Sequence, residues 1–154
     1  MNEVLPFLWY DTQAEEAARF YVSLFPNSRI EDIRRTGDGE HSPAFSVRFT
    51  LMGRPYVAFN GGPQFRFNES ISLFADCENQ QEVDRLWAAL LQGGQPSQCG
   101  WLTDRYGLSW QIVPQQLVRW LHDPDPQRAD RVMQAMLAMG KLDVETLRRA
   151  YEGA

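Results

Sequence analysis

The chain has 154 residues, of which 44% are hydrophobic and 23% charged, so we expect a single globular domain and exclude wholesale disorder. A net charge of −5 and a pI of about 5.0 exclude the broad basic surface that nucleic-acid-binding proteins normally present. No run of about 18 apolar residues occurs, so we expect neither a membrane span nor a membrane partner.

Cysteine usage and the first residues predict the cellular compartment. Cys77 and Cys99 form no Cys-x-x-Cys pair. The segment from Met1 to Glu3 carries an acidic residue, and the apolar run after it is short, so it matches neither a signal peptide nor a transit peptide. Two thiols without a secretory segment indicate a reducing compartment, and we therefore expect the protein to be cytoplasmic.

The first half of the chain predicts one strand, one helix and three further strands. Leu5 to Tyr10 is apolar and aromatic, as expected of a strand. Thr12 and Glu15 have the spacing of a helix capping box. An apolar helical face follows, formed by Ala17, Phe20, Tyr21 and Leu24. The later strands are predicted at 28–35, 44–51 and 55–59, with turns at 52–54 and 60–63.

The second half repeats this order in shortened form. Residues 70–75 predict a strand, and Asn79 with Glu82 predicts the start of a helix. The apolar face of that helix is formed by Val83, Leu86, Trp87 and Leu90. The closing strands are predicted at 98–102 and 108–113.

An offset of 66 residues relates the two halves. It superposes Val83 on Ala17 and Trp87 on Tyr21, and it superposes Leu73 on Phe7. An offset that holds across a strand and a helix indicates an internal repeat. We predict one α+β domain over residues 1–154, with strand–helix–three-strand modules at 4–62 and 69–113, whose sheets would curl around a central cleft.

Residues 115–154 lie outside the repeat and predict a helical C-terminal extension. Asp125-Pro126 has the pattern of a helix start, and Asp143 is expected to begin a last helix. The apolar face of the first of these helices is predicted to contain Val132, Met133, Met136 and Leu137. We interpret the extension as a packing or dimerisation element, although a purely structural or protein-interaction role for its Met-rich face remains an alternative.

Four segments of the chain are distinctive: Phe7-Leu8-Trp9-Tyr10-Asp11, Asn60-Gly61-Gly62-Pro63, Cys99-Gly100-Trp101-Leu102 and the run from Gly107 to Pro114. Together they resemble the PhnB-like proteins of the glyoxalase, bleomycin-resistance and extradiol-dioxygenase superfamily, also called the vicinal oxygen chelate superfamily. The resemblance covers nearly the whole chain. It implies paired βαβββ modules, usually in a homodimer, with a cupped site in each sheet. Members often carry the label 3-demethylubiquinone methyltransferase.

The resemblance also implies where a metal site would lie, and the residues at those places are unsuitable. Metal-using relatives carry ligands early on the first strand and on the last strand of each module. These positions correspond to Pro6, Val57, Ser72 and Gln111, of which Gln111 alone has a plausible ligand side chain. Neither His41 in a polar loop nor His122 in the extension adds a donor. We therefore predict no metal and no cofactor.

Other chemistry has weaker support. Gly61-Gly62 precedes Pro63 rather than a helix, which is typical of a turn and not of a loop that binds S-adenosylmethionine. Cys99 is a candidate nucleophile near the cleft, but no histidine lies near it in sequence, and a packed structural cysteine is the alternative. Carboxylates at the helix starts favour stabilisation of the helix dipole over acid–base catalysis.

The remaining hypothesis is a pocket for a small molecule. If Leu5 and Phe7 face the helix, strand alternation points Leu8 into the cleft. The candidate ligand-binding residues are Leu8, Val57, Phe59, Ser72, Phe74, Cys99, Trp101 and Gln111. We predict a homodimeric, metal-independent protein that binds a small apolar or aromatic molecule. The alternatives are an enzyme of the superfamily (a lyase, isomerase or dioxygenase) or a 3-demethylubiquinone methyltransferase.

Overall fold

The computed structural model describes residues Met1–Ala154, which form eight strands and five helices in two compact units, Met1–Phe67 and Asn68–Ala154. The first unit contains β1 Phe7–Tyr10, α1 Ala14–Leu24, β2 Arg29–Arg35, β3 Ala44–Leu51 and β4 Arg54–Asn60. The second contains β5 Ser72–Cys77, α2 Gln80–Leu91, β6 Gln95–Pro96, β7 Trp101–Thr103, β8 Ser109–Pro114, α3 Gln115–Leu121, α4 Pro126–Leu137 and α5 Val144–Glu152. The predicted α+β fold of paired βαβββ modules is confirmed.

The sheet of the first unit, called sheet one, has the strand order β1-β4-β3-β2. β1 runs parallel to β4, and the other pairs are antiparallel. Its buried face contains Leu8, Val47, Phe49 and Ala58, and α1 packs against it through residues that include Tyr21. This is the face that α1 covers, so the opposite face of sheet one is called its open face.

The start of α1 differs from the predicted capping box. The helix begins at Ala14, and Thr12 does not cap it. Instead the side chain of Asn60 at the end of β4 accepts a hydrogen bond from the Ala14 backbone N–H over 2.8 Å. The predicted box was wrong because a cap from a distant strand satisfies the same orphan donor that a local Thr would satisfy. Glu15 is thereby left to pair with arginines.

The sheet of the second unit, called sheet two, has the same design with the order β5-β8-β7-β6. Its buried face carries Ala75, Trp110 and Ile112 under α2. Asn79 caps α2 as predicted, because its Oδ1 accepts from the Glu82 N–H at 3.0 Å. The face opposite α2 is called the open face of sheet two.

A buried carboxylate organises the turn that joins β7 to β8. Asp104 is 3% exposed, and its Oδ1 accepts hydrogen bonds from the backbone N–H groups of Tyr106 and Leu108. Its Oδ2 accepts from the indole Nε1 of Trp110 over 2.9 Å. The turn therefore orients the last strand of sheet two, because both carboxylate oxygens accept hydrogen bonds from residues that follow Asp104 in the turn and at the start of β8.

The C-terminal extension forms its own apolar cluster at the end of β8. Leu117, Val132, Leu142 and Leu147 are buried there with Val113. Asp125 and Asp143 cap α4 and α5 as predicted. Helix α3 was not predicted, and Met133 and Leu137 are 38% and 52% exposed instead of facing the cluster. No helix of the chain is long and apolar enough to cross a membrane.

The repeat holds with one correction to its offset. Helix positions are related by 66 residues, but the strands are related by 67, because three residues separate β1 from α1 and two separate β5 from α2. Phe7 therefore corresponds to Phe74, since they lie opposite Val57 and Gln111 at equivalent places in the two sheets. A shift of one residue moves every side chain of a strand to the other face.

Candidate functional site

The open face of sheet one is aromatic and solvent-exposed. Phe7 on β1 is 60% exposed, and Trp9 two residues later is half-buried. Their partners across the parallel pair with β4 are Val57 and Phe59, also half-buried. These four side chains share the face that α1 does not cover, because the residues that alternate with them along both strands are buried against α1.

Contacts between rings join these side chains into one cluster, which we call the aromatic platform. Its members are Phe7, Trp9, Phe45, Phe59 and Phe65. Phe59 lies at the centre, with ring centroids 5.3 Å from Phe7, 5.0 Å from Trp9 and 5.2 Å from Phe45. These distances and the edge-to-face angles are those of favourable aromatic pairs. The platform therefore presents organised rings rather than independent exposed side chains.

Gly61 allows the platform rings to lie against the backbone. A Cβ atom at this position would stand 2.3 Å from the Trp9 ring and 2.4 Å from the Phe59 ring. The indole Nε1 of Trp9 also donates a hydrogen bond to the carbonyl oxygen of Gly62 over 2.9 Å. The turn at 60–63 thus holds the indole in place, and the absence of a side chain at Gly61 is a packing requirement.

A β-bulge adds Phe45 to the platform. The register between β2 and β3 pairs Arg34 with Ser46 and Arg35 with Ala44, so Phe45 is an extra residue on β3. Regular alternation along β3 would place Phe45 on the same face as Val47, but the bulge redirects its ring toward Phe59. As a result Phe45 is 41% exposed, and the guanidinium of Arg34 lies 5.6 Å from its ring centroid.

The open face of sheet two combines aromatic and polar groups. Phe74 is 51% exposed, and Gln111 lies opposite it on β8. Gln111 Nε2 donates a hydrogen bond to Ser72 Oγ over 2.9 Å, which places both side chains on this face. Trp101 on β7 lies opposite Gln111 from the other side and is half-buried. The face can therefore offer rings together with amide and hydroxyl groups.

One hydroxyl on sheet two is buried without a partner. Ser109 is fully buried, and its Oγ makes no hydrogen bond. It lies opposite Ser72 on β5 and Thr103 on β7. An unsatisfied buried hydroxyl costs stability, so we expect the Ser109 side chain to destabilise this end of sheet two.

The predicted orientation of the first strand was wrong. Leu8 is 5% exposed and lies opposite Ala58 on the buried face, so it does not belong to an open face. Phe7, predicted to face the helix, lies on the open face instead. The error follows from the one-residue difference in offset, because every residue from Phe7 to Tyr10 is apolar or aromatic and alternation is not visible there. The orientations predicted for Val57, Phe59, Ser72, Phe74 and Gln111 agree with the structure.

Cys99 lies in the turn before β7 rather than on the sheet. Its φ is +59°, and its backbone N–H donates to the carbonyl oxygen of Met139 over 2.8 Å. No histidine side chain is hydrogen-bonded to its thiol, so Cys99 lacks the neighbouring base that would activate it as a nucleophile. Cys77 is buried at the end of β5, and burial raises the pKa of its thiol to about 11, so little thiolate forms at neutral pH.

The positions at which metal-using relatives hold ligands do not fit a metal ion. With the corrected offset, the early position of the first module is Leu5 rather than Pro6, and the others remain Val57, Ser72 and Gln111. Two of the four side chains are therefore hydrocarbon, and the remaining donors are the amide oxygen of Gln111 and the hydroxyl of Ser72, which already accepts a hydrogen bond from the Gln111 Nε2. A divalent cation requires several converging donors, and no group of three or more His, Cys, Asp or Glu side chains converges anywhere in the chain.

A polar cavity of about 370 Å³ lies in the first unit at the start of α1. Its lining comprises Thr12, Glu15, Arg35, Glu40, His41, Ser42, Pro43, Ala44 and Asn60. Arg35 donates to both carboxylate oxygens of Glu15, over 2.9 and 3.1 Å, and to the Ser42 carbonyl. Hydrogen bonds from Arg35, and from Arg19, lower the pKa of Glu15 to about 2. Glu15 and Arg35 therefore neutralise each other, and Glu40 is the other carboxylate of the lining. His122 lies far along the chain from this cavity, directly after α3, where its Nδ1 is 2.7 Å from the carbonyl oxygen of Val118.

Sequence reasoning missed Phe7, Trp9, Phe45 and Phe65 as surface aromatics. The strand Phe7–Tyr10 contains no polar residue, and a bulge cannot be read from alternation. One signal was available, because Gly61-Gly62 directly after Phe59-Asn60 indicates a close approach of rings to the backbone.

Comparisons with known proteins identify relatives over most of the chain. The model of the 3-demethylubiquinone-9 3-methyltransferase family matches residues 2–113. A Bacillus cereus PhnB protein that carries the same methyltransferase name is 32% identical, with a TM-score of 0.67, over 73% of this chain and 99% of that one. The Pseudomonas aeruginosa protein PA1353 is 18% identical, with a TM-score of 0.60, over 74% and 98% of the two chains, and therefore supports the fold alone. A comparison with curated proteins finds no match.

Proposed function

We propose that this chain, which belongs to the 3-demethylubiquinone-9 3-methyltransferase family, is a metal-independent protein that binds a small planar molecule on the open face of sheet one. The observation that supports the proposal is the aromatic platform. The exposed fractions of its rings are 60% for Phe7, 41% for Phe45 and 66% for Phe65, whereas the opposite face of sheet one is buried under α1.

Exposure of joined aromatic rings has an energetic consequence. Burying a phenylalanine side chain contributes roughly 1.5–3 kcal/mol, so several half-exposed rings leave free energy that a planar apolar ligand would recover. Edge and face contacts with Phe59 and Trp9 would add a smaller, orientation-dependent term. Sheet two, taken by itself, carries the polar pair Ser72 and Gln111 on the same face as the exposed Phe74, and small-molecule sites commonly combine such hydrogen-bonding groups with apolar surface.

Metal independence is proposed from the donor set. The side chains of Leu5 and Val57 have no donor atoms, which leaves the amide oxygen of Gln111 and the hydroxyl of Ser72, to which the Gln111 Nε2 donates a hydrogen bond. Replacing the hydration shell of a divalent cation with one amide oxygen and one hydroxyl would be unfavourable. The methyltransferase activity in the family's name receives no support from the turn at 60–63, since the residues after it, from Pro63 to Ile71, form no helix that could bind a cofactor.

Thermal unfolding of metal-stripped protein tests the proposal. Planar aromatic compounds should raise the Tm by several degrees near saturation, because a ligand at about 100 times its Kd stabilises the folded state by roughly 2.7 kcal/mol. Zn²⁺, Ni²⁺, Mn²⁺, Fe²⁺ and S-adenosylmethionine should have no effect. A saturable rise with a metal would support the enzyme alternative, and a rise with S-adenosylmethionine would support the methyltransferase.

Two variants test whether the rise in Tm comes from binding at the aromatic platform. Phe7→Ala should remove most of the stabilisation by an aromatic compound while leaving the unliganded Tm nearly unchanged, because Phe7 is exposed. Leu137→Ala on α4, also an exposed apolar residue, is the matched control and should bind normally. Equal binding by both variants would place the ligand elsewhere.

We also propose that the protein is a homodimer, on the basis of its family. Light scattering during size exclusion should then give twice the chain mass of 17.8 kDa. A monomer at micromolar concentration would contradict this.

A further inference from the structure

We propose that the planar ligand of the aromatic platform is an aromatic carboxylate, and that Arg34 binds its carboxylate group. This inference rests on the proposed function and specifies the chemical class of its ligand. It begins from the bulge in β3, which brings the Phe45 ring beside Phe59. The guanidinium carbon of Arg34 lies 5.6 Å from the centroid of the Phe45 ring, within the range of a cation–π contact. A cation thus stands at the edge of an aromatic surface.

Arg34 is uncommitted, unlike the other arginines of β2 and β3. Arg29 pairs with Glu31 at 2.9 Å, Arg35 with Glu15 at 2.9 Å and Arg48 with Glu3 at 2.5 Å. Arg34 has no carboxylate partner and makes no hydrogen bond, and its guanidinium carbon lies 5.6 Å from the centroid of the Phe45 ring. Asp32, the acidic residue that shares its strand face by alternation, lies opposite Arg48 in the register.

The geometry matches the chemistry of an aromatic acid. The planar fork of a guanidinium fits a carboxylate in two parallel hydrogen bonds. The Phe45 ring contacts both Arg34 and Phe59, so a ligand whose ring rests on Phe59 and Phe45 would extend its carboxylate toward Arg34. An amine or quaternary ammonium ligand would instead be repelled by this charge.

Calorimetric titration with a matched pair of ligands tests the inference. We choose 2-naphthoate and 2-naphthamide, which have the same ring system and differ in charge. The full chain should bind the acid roughly ten-fold more tightly than the amide, because a charge-assisted hydrogen bond is about twice as strong as a neutral one. Raising the salt concentration should narrow this ratio.

Arg34→Gln should lower the affinity for 2-naphthoate roughly ten-fold and leave that for 2-naphthamide unchanged. Arg29→Gln, on the same strand but paired with Glu31, is the control and should keep the preference for the acid. Phe7→Ala should lower the affinity for 2-naphthoate and for 2-naphthamide by the same factor.

The failures are distinguishable. Equal affinity for acid and amide, or an equal loss of both in Arg34→Gln, would overturn the aromatic-acid inference while the platform remained a binding site. Binding of neither compound would overturn the inference together with the proposed function. A third result would be that the affinity for both compounds falls as the protein concentration rises. It would mean that a second copy of the chain covers the platform, which also contradicts the inference.

Discussion

The Gln111 amide donates a hydrogen bond to Ser72 Oγ over 2.9 Å and so joins β8 to β5 on the open face of sheet two. The equivalent residues of sheet one are Val57 and, by the strand offset, Leu5, which cannot form such a bond. One repeated architecture therefore carries a polar pair in one copy and an apolar pair in the other. The two open faces differ in chemistry although the strands beneath them are paired in the same way.

The Ser72–Gln111 bond should be measurable as a coupling energy. In a double-mutant cycle of Ser72→Ala and Gln111→Leu, we expect a coupling of about 1 kcal/mol in the free energy of unfolding, because a neutral hydrogen bond is lost with the first substitution. Urea denaturation provides the measurement. Additive effects of the two substitutions would mean that the bond contributes nothing in solution.

Ser109→Ala should stabilise the protein by about 1 kcal/mol. The Ser109 hydroxyl is buried and has no hydrogen-bond partner, so its removal eliminates a desolvation cost at nearly constant shape. Urea midpoints of this variant and of Ser72→Ala, which removes a satisfied hydroxyl, should move in opposite directions. Destabilisation by Ser109→Ala would indicate that the hydroxyl is bonded, for example to a bound water.

Gly61→Ala should disrupt the aromatic platform. The added methyl group would stand within 2.4 Å of the Trp9 and Phe59 rings, so both must move, and we expect a cost of about 1–3 kcal/mol. Near-ultraviolet circular dichroism should lose intensity, and binding of 2-naphthamide should fall. Gly37→Ala is the control, because its new methyl group would meet little more than the Ser42 side chain. An unaltered spectrum in Gly61→Ala would contradict the packing described.

The Glu15–Arg35 pair should make the stability of the folded protein depend on pH in the acidic range. The folded-state pKa of Glu15 is about 2 against an ordinary value of 4.5, and the largest cause is hydrogen bonding from Arg35. Because the folded pKa is the lower one, this contribution is complete above pH 4.5 and is lost as the pH falls toward 2. Tm measured across this range should fall less steeply in Glu15→Gln than in the unsubstituted protein.

Arg35→Gln should flatten the dependence of Tm on pH in the same range. Arg29→Gln, which breaks a more exposed pair on the same strand, should leave this dependence unchanged. Parallel slopes in all variants would show that Glu15 does not titrate at a lowered pKa.

Local patterns predicted much of the fold because the interactions that define them lie within a few residues. The strand Ala44–Leu51 was predicted with its observed bounds, since polar and apolar residues alternate through most of it. Asn79, Asp125 and Asp143 were predicted as caps because each bonds a backbone N–H two or three residues later. Helix α3 escaped prediction, because a seven-residue helix that directly follows a strand has no cap or turn to mark its start.

The amino-acid sequence by itself determined the repeat, the fold class and the polar–apolar difference between Gln111 and Val57, because these follow from residue type and spacing. The tertiary structure alone decided which face of Phe7–Tyr10 is exposed, because a strand of four apolar residues has no alternation to orient it and its partner β4 lies about fifty residues away. It also decided that Phe45 joins the platform and that Arg34 lies beside it, since a bulge depends on the pairing of two strands and not on either one alone.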